Sequence, residues 1–148
     1  RRDERGGGAR LGRGGVRITA DTNVLVRSAV RDDVEQARVA DETLREATQI
    51  TVALASLCEF VWVLRRGYGI AVADIAAAVR ALLATDKVVV DRTAAEAGLA
   101  MLEAGGDFAD GVIAHAGEAL GAEVFVSFDP SAVKRLTDQG RAARLLRR

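Results

Sequence analysis

Short apolar runs alternate with longer segments of helical periodicity along the chain, and this alternation restricts the possible folds more than any other feature. The apolar runs are residues 16–20, 50–55, 88–90 and 123–127. The helical segments, with apolar residues at spacings of three and four, are residues 34–47, 57–66, 72–84, 94–104 and 110–120. Strands that alternate with helices of this length favour a parallel sheet covered by helices on both faces. We therefore predict an α/β fold with a central parallel sheet of four to five strands, the fifth being a short edge strand at residues 143–146.

The size and composition of the chain fit one folded unit in a reducing compartment. A chain of 148 residues with 49% hydrophobic content can bury one core and is too short for a second domain. Cys58 is the only cysteine, so no internal disulfide can form. The apolar runs fall far short of the ~20 residues that a membrane span needs, and no secretory pattern is visible. We expect a cytoplasmic protein without membrane contact.

The net charge is positive at the start of the chain and negative over the rest. Residues 1–15 hold six Gly and five Arg, a composition too polar to bury a core, so we expect a disordered arm there and one folded domain over residues 16–148. Residues 1–16 carry a balance of +3, and the rest carries 16 basic against 19 acidic side chains. Nucleic-acid binders are usually basic. The acidic balance counts against such a function unless part of it holds a cation, which would reverse the local sign.

Four acidic side chains follow the predicted strands, close to where each strand gives way to a loop or helix. They are Asp21, Glu59, Asp110 and Asp129. In an open parallel sheet, the segments that follow the carboxyl ends of the strands meet along one crevice. Carboxylates gathered there repel one another unless a cation neutralises them, and hard cations such as Mg²⁺ or Mn²⁺ prefer oxygen ligands. The pattern therefore favours a metal-dependent site that cleaves phosphodiester bonds.

Several of these acids also have a structural interpretation. Asp21 suits a turn or a helix N-cap, and Asp129, which precedes Pro130, suits an ordinary Asp-Pro turn. Pro130 itself is typical of a helix start. Asp107 shares a helix face with Asp110 and is expected to cap that helix. We expect the helix dipole to lower the pKa of Asp110 and keep it ionised for a metal.

Glu59 is the most ambiguous of the four acids. Ser56 and Glu59 match the S-x-x-E capping box, in which the glutamate reaches back to an amide at the helix start. Thr93 and Glu96 match the same pattern, and there we expect only capping. Glu59, however, is predicted in the first turn of an otherwise apolar helix directly after a buried strand. A carboxylate in such surroundings is expected to face a cleft.

The order of these motifs resembles that of PIN-domain ribonucleases, and most closely that of the small VapC-type toxins of bacterial type II toxin–antitoxin systems. The resemblance covers residues 16 to 146 and is carried by Asp21-Thr22-Asn23-Val24, Glu59, Asp107-Phe108-Ala109-Asp110 and Ser127-Phe128-Asp129. It implies that Asp21, Glu59, Asp110 and Asp129 are catalytic, metal-binding acids. It further implies an auxiliary acid, Asp107, and two polar supports, Asn23 and Ser127.

The resemblance also implies an activity and partners. The activity is hydrolysis of an RNA phosphodiester bond by water activated on one or two Mg²⁺ or Mn²⁺ ions. The implied partners are the RNA substrate, a cognate antitoxin and a second copy of the chain in a homodimer. Apolar helix faces around Trp62, Leu64 and residues 72–83 would supply dimer contacts or belong to the core. The candidate phosphate contacts are Arg27, Arg65, Arg66 and Lys134. Each of them can also be interpreted as an ordinary surface charge exposed to solvent.

Two other functions compete with this hypothesis. A Mg²⁺-dependent phosphatase of the haloacid-dehalogenase type would carry a second Asp two residues after its strand-end Asp, but that position is Asn23. A catalytically silent PIN-like module would act only through partner contacts. The intact acids argue against the silent module.

Overall fold

A computed structural model describes residues 15–148, so that the predicted arm lies outside the described residues except for Gly15. Within this part of the chain, helices and strands alternate as the sequence predicts. The strands are β1 Arg17–Thr19, β2 Gln49–Thr51, β3 Val88–Val89, β4 Phe125–Ser127 and β5 Ala143–Leu145. The helices are α1 Thr22–Ala29, α2 Val34–Glu46, α3 Leu54–Trp62, α4 Val72–Ala84, α5 Arg92–Glu103, α6 Phe108–Ala119 and α7 Pro130–Asp138. A π-helical turn, Val63–Gly67, continues α3.

All strand pairs in the described chain are parallel, which confirms the predicted α/β class. Strands β1, β2 and β3 form one sheet in that order, with Ile18 opposite Ile50 and Ile50 opposite Val88. Strands β4 and β5 form a separate pair, with Val126 opposite Arg144. The predicted sheet of four to five strands is therefore divided into three and two. The apolar pattern identifies strands, but strands this short carry too little information to specify their neighbours.

Helix α1 is the one helix in the described chain that no sequence feature predicted, since α7, also outside the periodic segments, was indicated by Pro130. Its buried residues are Thr22, Leu25 and Val26, at spacings of three and four along one face. A window centred on these residues would have indicated a helix. Because α1 begins directly after β1, Asp21 occupies the N-cap position.

Helix α3 begins at Leu54, three residues before the predicted start at residue 57. Ser56 and Glu59 therefore both lie inside the helix, Glu59 in its second turn, and the capping-box interpretation of this pair is wrong. The capping interpretation of Thr93 is wrong for the same reason, since Asp91 is the N-cap of α5 and accepts a hydrogen bond from the Ala94 amide.

Two glycines allow α5 and α6 to pack in close contact. A Cβ atom at Gly111 would lie 2.3 Å from the carbonyl oxygen of Ala97, and one at Gly98 would lie 2.7 Å from the ring of Phe108. Phe108 and Leu102 are fully buried in the main core beside this contact. The close approach fixes the start of α6, and with it the positions of the acidic residues in its first turn.

None of the helices within residues 15–148 has the length and apolar character that crossing a bilayer requires.

Candidate active site

A cavity of about 260 Å³ lies where the end of α3, the turn between α5 and α6, and the start of α7 meet. Three carboxylates line it, from two helix starts that are distant in sequence: Asp107, Asp110 and Asp129. Three guanidinium groups line it too: Arg65, Arg66 and Arg135. Trp62 adds an indole ring to the same wall. Tertiary packing therefore brings three of the predicted acids to one place.

Helix capping fixes two of these acids. Asp107 is the N-cap of α6, and its carboxylate accepts a hydrogen bond from the Ala109 amide at 3.1 Å, which confirms the predicted cap. Asp129 is the N-cap of α7 and accepts one from the Ser131 amide at 2.9 Å. The Ser127 hydroxyl oxygen in turn accepts a hydrogen bond from the Asp129 amide at 2.9 Å. Each carboxylate retains lone pairs beyond its capping bond.

Asp110 differs from its two neighbours because it is partly buried. Burial raises the pKa of Asp110, and the negative charges of Asp107 and Asp129 raise it further. The expectation that the helix dipole would lower this pKa is therefore wrong. Loss of solvent and repulsion between carboxylates outweigh the dipole, and both effects would be offset by a bound cation.

Glu59 is held by a side chain of α1. The buried hydroxyl group of Thr22, whose residue is 6% exposed, donates a hydrogen bond to Glu59 Oε1 at 2.8 Å. The neighbouring Cys58 lies close enough to the acidic cavity for Asp107 to affect it. Burial, and then the charge of Asp107, raise the pKa of the Cys58 thiol, which keeps it protonated. Cys58 also packs against the core, as its sequence context predicted.

Asp21 differs from the other aspartates at helix N-caps because its carboxylate makes no capping hydrogen bond. Four other helices have an aspartate N-cap whose side chain accepts a hydrogen bond from its own first turn: Asp33, Asp91, Asp107 and Asp129. Asp21 occupies the N-cap of α1 without any such side-chain bond. Helix capping therefore does not explain why an aspartate stands at this position.

The structure does not bring all the predicted site residues to one cavity. Asp21 and Glu59 are absent from the lining of the acidic cavity, and Thr22 joins Glu59 to α1. Asn23 lines a different cavity, of about 300 Å³, between α1 and α2. Within residues 15–148, no three His, Cys, Asp or Glu side chains are grouped closely enough to hold a metal ion together.

Two of the three arginines at the acidic cavity donate hydrogen bonds to main-chain carbonyls. Arg65 Nη1 donates to the Gly106 carbonyl at 3.0 Å, and Arg135 Nε donates to the Ala104 carbonyl at 3.1 Å. Sequence reasoning missed Arg135, and no local spacing indicates it, because its place at the cavity depends on the contact of α7 with the α5–α6 turn. The other two candidate phosphate contacts are held by acidic partners elsewhere: Arg27 by Asp32 at 3.0 Å, and Lys134 by Asp138 at 2.8 Å.

A comparison with protein families identifies the chain. The family model described as the PIN domain matches residues 18–137. The chain belongs to the PIN domain family. The match spans every acid singled out above, from Asp21 to Asp129, and confirms that part of the predicted resemblance. No curated protein matches the chain. PIN domains are generally nucleases, typically metal-dependent hydrolases, and the family binds RNA.

The donor groups of this PIN domain fit a hard divalent cation in their chemistry. All the acids concerned are carboxylates, the ligand type that Mg²⁺ and Mn²⁺ prefer. Mg²⁺ commonly uses only one or two carboxylates and retains several waters, so it does not require three protein ligands grouped in advance. Burial, and then the charges of Asp107 and Asp129, raise the pKa of Asp110, and a bound cation would offset both effects.

Proposed function

We propose that this PIN domain is a Mg²⁺- or Mn²⁺-dependent endoribonuclease, acting in the cytoplasm as the toxin of a type II toxin–antitoxin pair. The observation that carries the proposal is the meeting of Asp107, Asp110 and Asp129 with three arginines in one cavity of a PIN domain. Carboxylates suit a cation, and guanidinium groups suit the phosphate that this cation would polarise. An acidic site with basic walls is the arrangement that phosphodiester hydrolysis needs.

Each acid has a distinct part in the proposed site. Asp110 and Asp129 would hold the cation from the cavity, with Asp21 and Glu59 joining directly or through water. When bound, the cation supplies Lewis acidity, which makes water nucleophilic at neutral pH and stabilises charge on the leaving oxygen. Thr22 orients Glu59 through its hydroxyl group.

The remaining polar groups support and complete this site. Asp107 adds negative charge beside Asp110, and Ser127 fixes the turn that presents Asp129. Arg65, Arg66 and Arg135 would bind the substrate phosphates. No histidine is required, which suits a chain whose single His115 is only half-buried on α6.

The proposed protein partners are an antitoxin and a second copy of the chain. An antitoxin segment would insert into the acidic cavity or cover it. The predicted apolar contact face is only partly available, because Leu64 and the inner residues of α4, Ile75 and Val79, are buried in the core, whereas Trp62 is exposed.

The decisive experiment incubates the purified protein with total cellular RNA in Mg²⁺, in Mn²⁺ and in EDTA. Asp110→Asn and Asp21→Asn test the site, and Asp86→Asn, in the exposed turn before β3, is the matched control. We expect discrete products that require metal and both site acids, with the control as active as the wild type. Equal cleavage by all three variants would identify a contaminant and refute the proposal.

One observation favours a second function, that of a catalytically silent binding module. No group of three ligands is assembled in the described part of the chain, so the domain would bind partners without cleaving RNA. A protein that neither binds Mn²⁺ nor cleaves any RNA, yet keeps its partner contacts in the Asp21→Asn variant, would establish this function. The phosphatase hypothesis has no support from the family match.

A further inference from the structure

Trp62 is a large apolar side chain that the core does not use. It is 60% exposed at the end of α3, whereas its neighbours Phe60, Val61 and Leu64 are buried. It also lines the acidic cavity. The indole is therefore presented to whatever enters the cavity, and packing alone does not explain an aromatic residue at this position.

The helix that carries Trp62 also carries charged groups for the same site. Glu59 precedes Trp62 by three residues, so the two share a helix face. The π-helical turn that follows places Arg65 and Arg66 on the wall of the same cavity. Single π-helical turns inside α-helices occur frequently at functional sites. This helix and its π-helical turn thus bring an aromatic ring and two arginines to the cavity, whereas Glu59 is bonded to α1 outside the cavity lining.

Arg65 and Arg135 keep unused N–H donors after they have bonded to the α5–α6 turn. Arg65 and Arg135 each give one N–H group to a carbonyl of that turn. A guanidinium group has five N–H donors in a planar fork, so four remain on each side chain for other acceptors. The carbonyl bond orients the fork, and the unused donors suit phosphate oxygens.

An exposed aromatic ring beside oriented guanidinium groups is chemistry suited to single-stranded nucleic acid. Phosphates bind the arginines, and an unpaired base stacks on the ring, whatever its sequence. In a duplex the bases are stacked on one another and unavailable to a side chain. A protein partner would also cover an exposed indole, but the paired aromatic and basic groups favour RNA.

We propose that Trp62 is a base-stacking platform which, with Arg65 and Arg135, seats a single-stranded RNA segment across the acidic cavity. The proposal rests on the proposed ribonuclease function and goes beyond it by naming the residue that holds a base of the substrate. Trp62 acts in positioning, because it binds the nucleotide next to the reacting phosphate and not the reacting atoms.

The experiment uses the chain's own fluorescence, since Trp62 is its only tryptophan. The Asp110→Asn protein, in which cleavage is blocked, is titrated with short single-stranded oligoadenylate, with an abasic strand of equal length, and with a duplex. We expect saturable quenching of the indole by oligoadenylate and little by the other two. Quenching requires the base and not merely the phosphates, so the abasic strand separates stacking from charge.

Substitutions test the same contact through affinity, measured as fluorescence anisotropy of a labelled strand. Trp62→Phe is expected to keep the affinity, and Trp62→Leu to lose roughly 5- to 150-fold, the value of one stacked base. Tyr68→Leu is the matched aromatic control, because Tyr68 bonds Arg27 and Asp32 away from the cavity and its loss is expected to leave affinity unchanged. Because Trp62 is exposed, its variants are expected to stay folded, and circular dichroism checks this.

The outcomes separate this inference from the proposed ribonuclease. Equal affinity for the abasic strand, or binding without quenching, overturns the stacking role even if the wild type cleaves RNA. Failure of every strand to bind overturns it as well. A blue shift of the emission with protein concentration alone would show that a second copy covers Trp62. Base-dependent quenching in a protein that never cleaves would support the platform and refute the nuclease.

Discussion

Replacing Gly111 by alanine tests whether close packing of α5 against α6 positions the acidic site. The added Cβ would lie 2.3 Å from the Ala97 carbonyl oxygen and 2.9 Å from both the Ala97 carbonyl carbon and Met101 Cβ. Two of these three contacts are main-chain atoms of α5, which cannot rotate out of the way as a flexible side chain would. The helices must therefore separate, and the first turn of α6, which carries Asp107 and Asp110, must move with them.

The magnitude follows from two opposing contributions. Overpacking of a well-packed contact costs about 1–3 kcal/mol, and a backbone clash lies toward the upper end of that range. Alanine in place of glycine inside a helix returns up to ~1 kcal/mol. We expect the free energy of unfolding of Gly111→Ala to fall by about 1–2 kcal/mol. For a domain of this size this corresponds to a Tm lower by roughly 2–8 °C.

Gly117 provides a matched control on the same helix. A Cβ there would meet only Ala122 Cβ at 3.7 Å, an ordinary contact. Gly117→Ala should therefore gain helix propensity without a clash and unfold at an equal or higher temperature. Thermal unfolding followed by circular dichroism measures both variants, and RNA cleavage measures the displacement of the acids. If Gly111→Ala is as stable and as active as Gly117→Ala, the close helix contact does not position the site.

Three further predictions concern the polar groups of the site. Because the folded pKa of Asp110 is raised, its ionised form opposes folding, and this penalty disappears as pH falls through that pKa toward the ordinary carboxyl value of about 3.9. Asp110→Asn should therefore raise Tm at neutral pH without metal, and the rise in Tm should be smaller at acidic pH. The variant should also lose the stabilisation that Mn²⁺ gives the wild type, and a Tm below that of the wild type at neutral pH would contradict the reasoning. Thr22→Val should lower the free energy of unfolding in urea by only about 1 kcal/mol, since water replaces the hydroxyl group at Glu59. It should nevertheless reduce the rate of RNA cleavage by the folded protein, and an unchanged rate would show that Glu59 needs no orientation. Arg135→Gln should weaken RNA binding and make the affinity less dependent on salt. Arg144→Gln, at an exposed position of β5, should do neither, and equal effects of the two substitutions would show that Arg135 has no specific role.

Asp21 and Asp129 could be found from the sequence because they follow strands β1 and β4, and strand ends have a local signature. The same prediction is wrong for Asp110, which follows helix α5, and for Glu59, which lies in the second turn of α3. Capping could also be predicted where an aspartate or proline begins an apolar periodic segment, as at Asp107 and Pro130. The capping box at Ser56 was misassigned because a helix start depends on where the preceding strand ends. Strand β2 ends at Thr51, four residues before the apolar run does, and α3 therefore starts early.

Local pattern alone determined the α/β class, most of the helices, the cap at Asp107 and membership of the PIN domain family. Tertiary structure decided which acids share a cavity, that Arg135 lies beside them, and that the pKa of Asp110 is raised rather than lowered. The physical reason is one of range. Helix propensity, capping and apolar periodicity act within a few residues, whereas desolvation and repulsion between carboxylates depend on segments that meet only after α5 and α6 have packed together through Gly98 and Gly111.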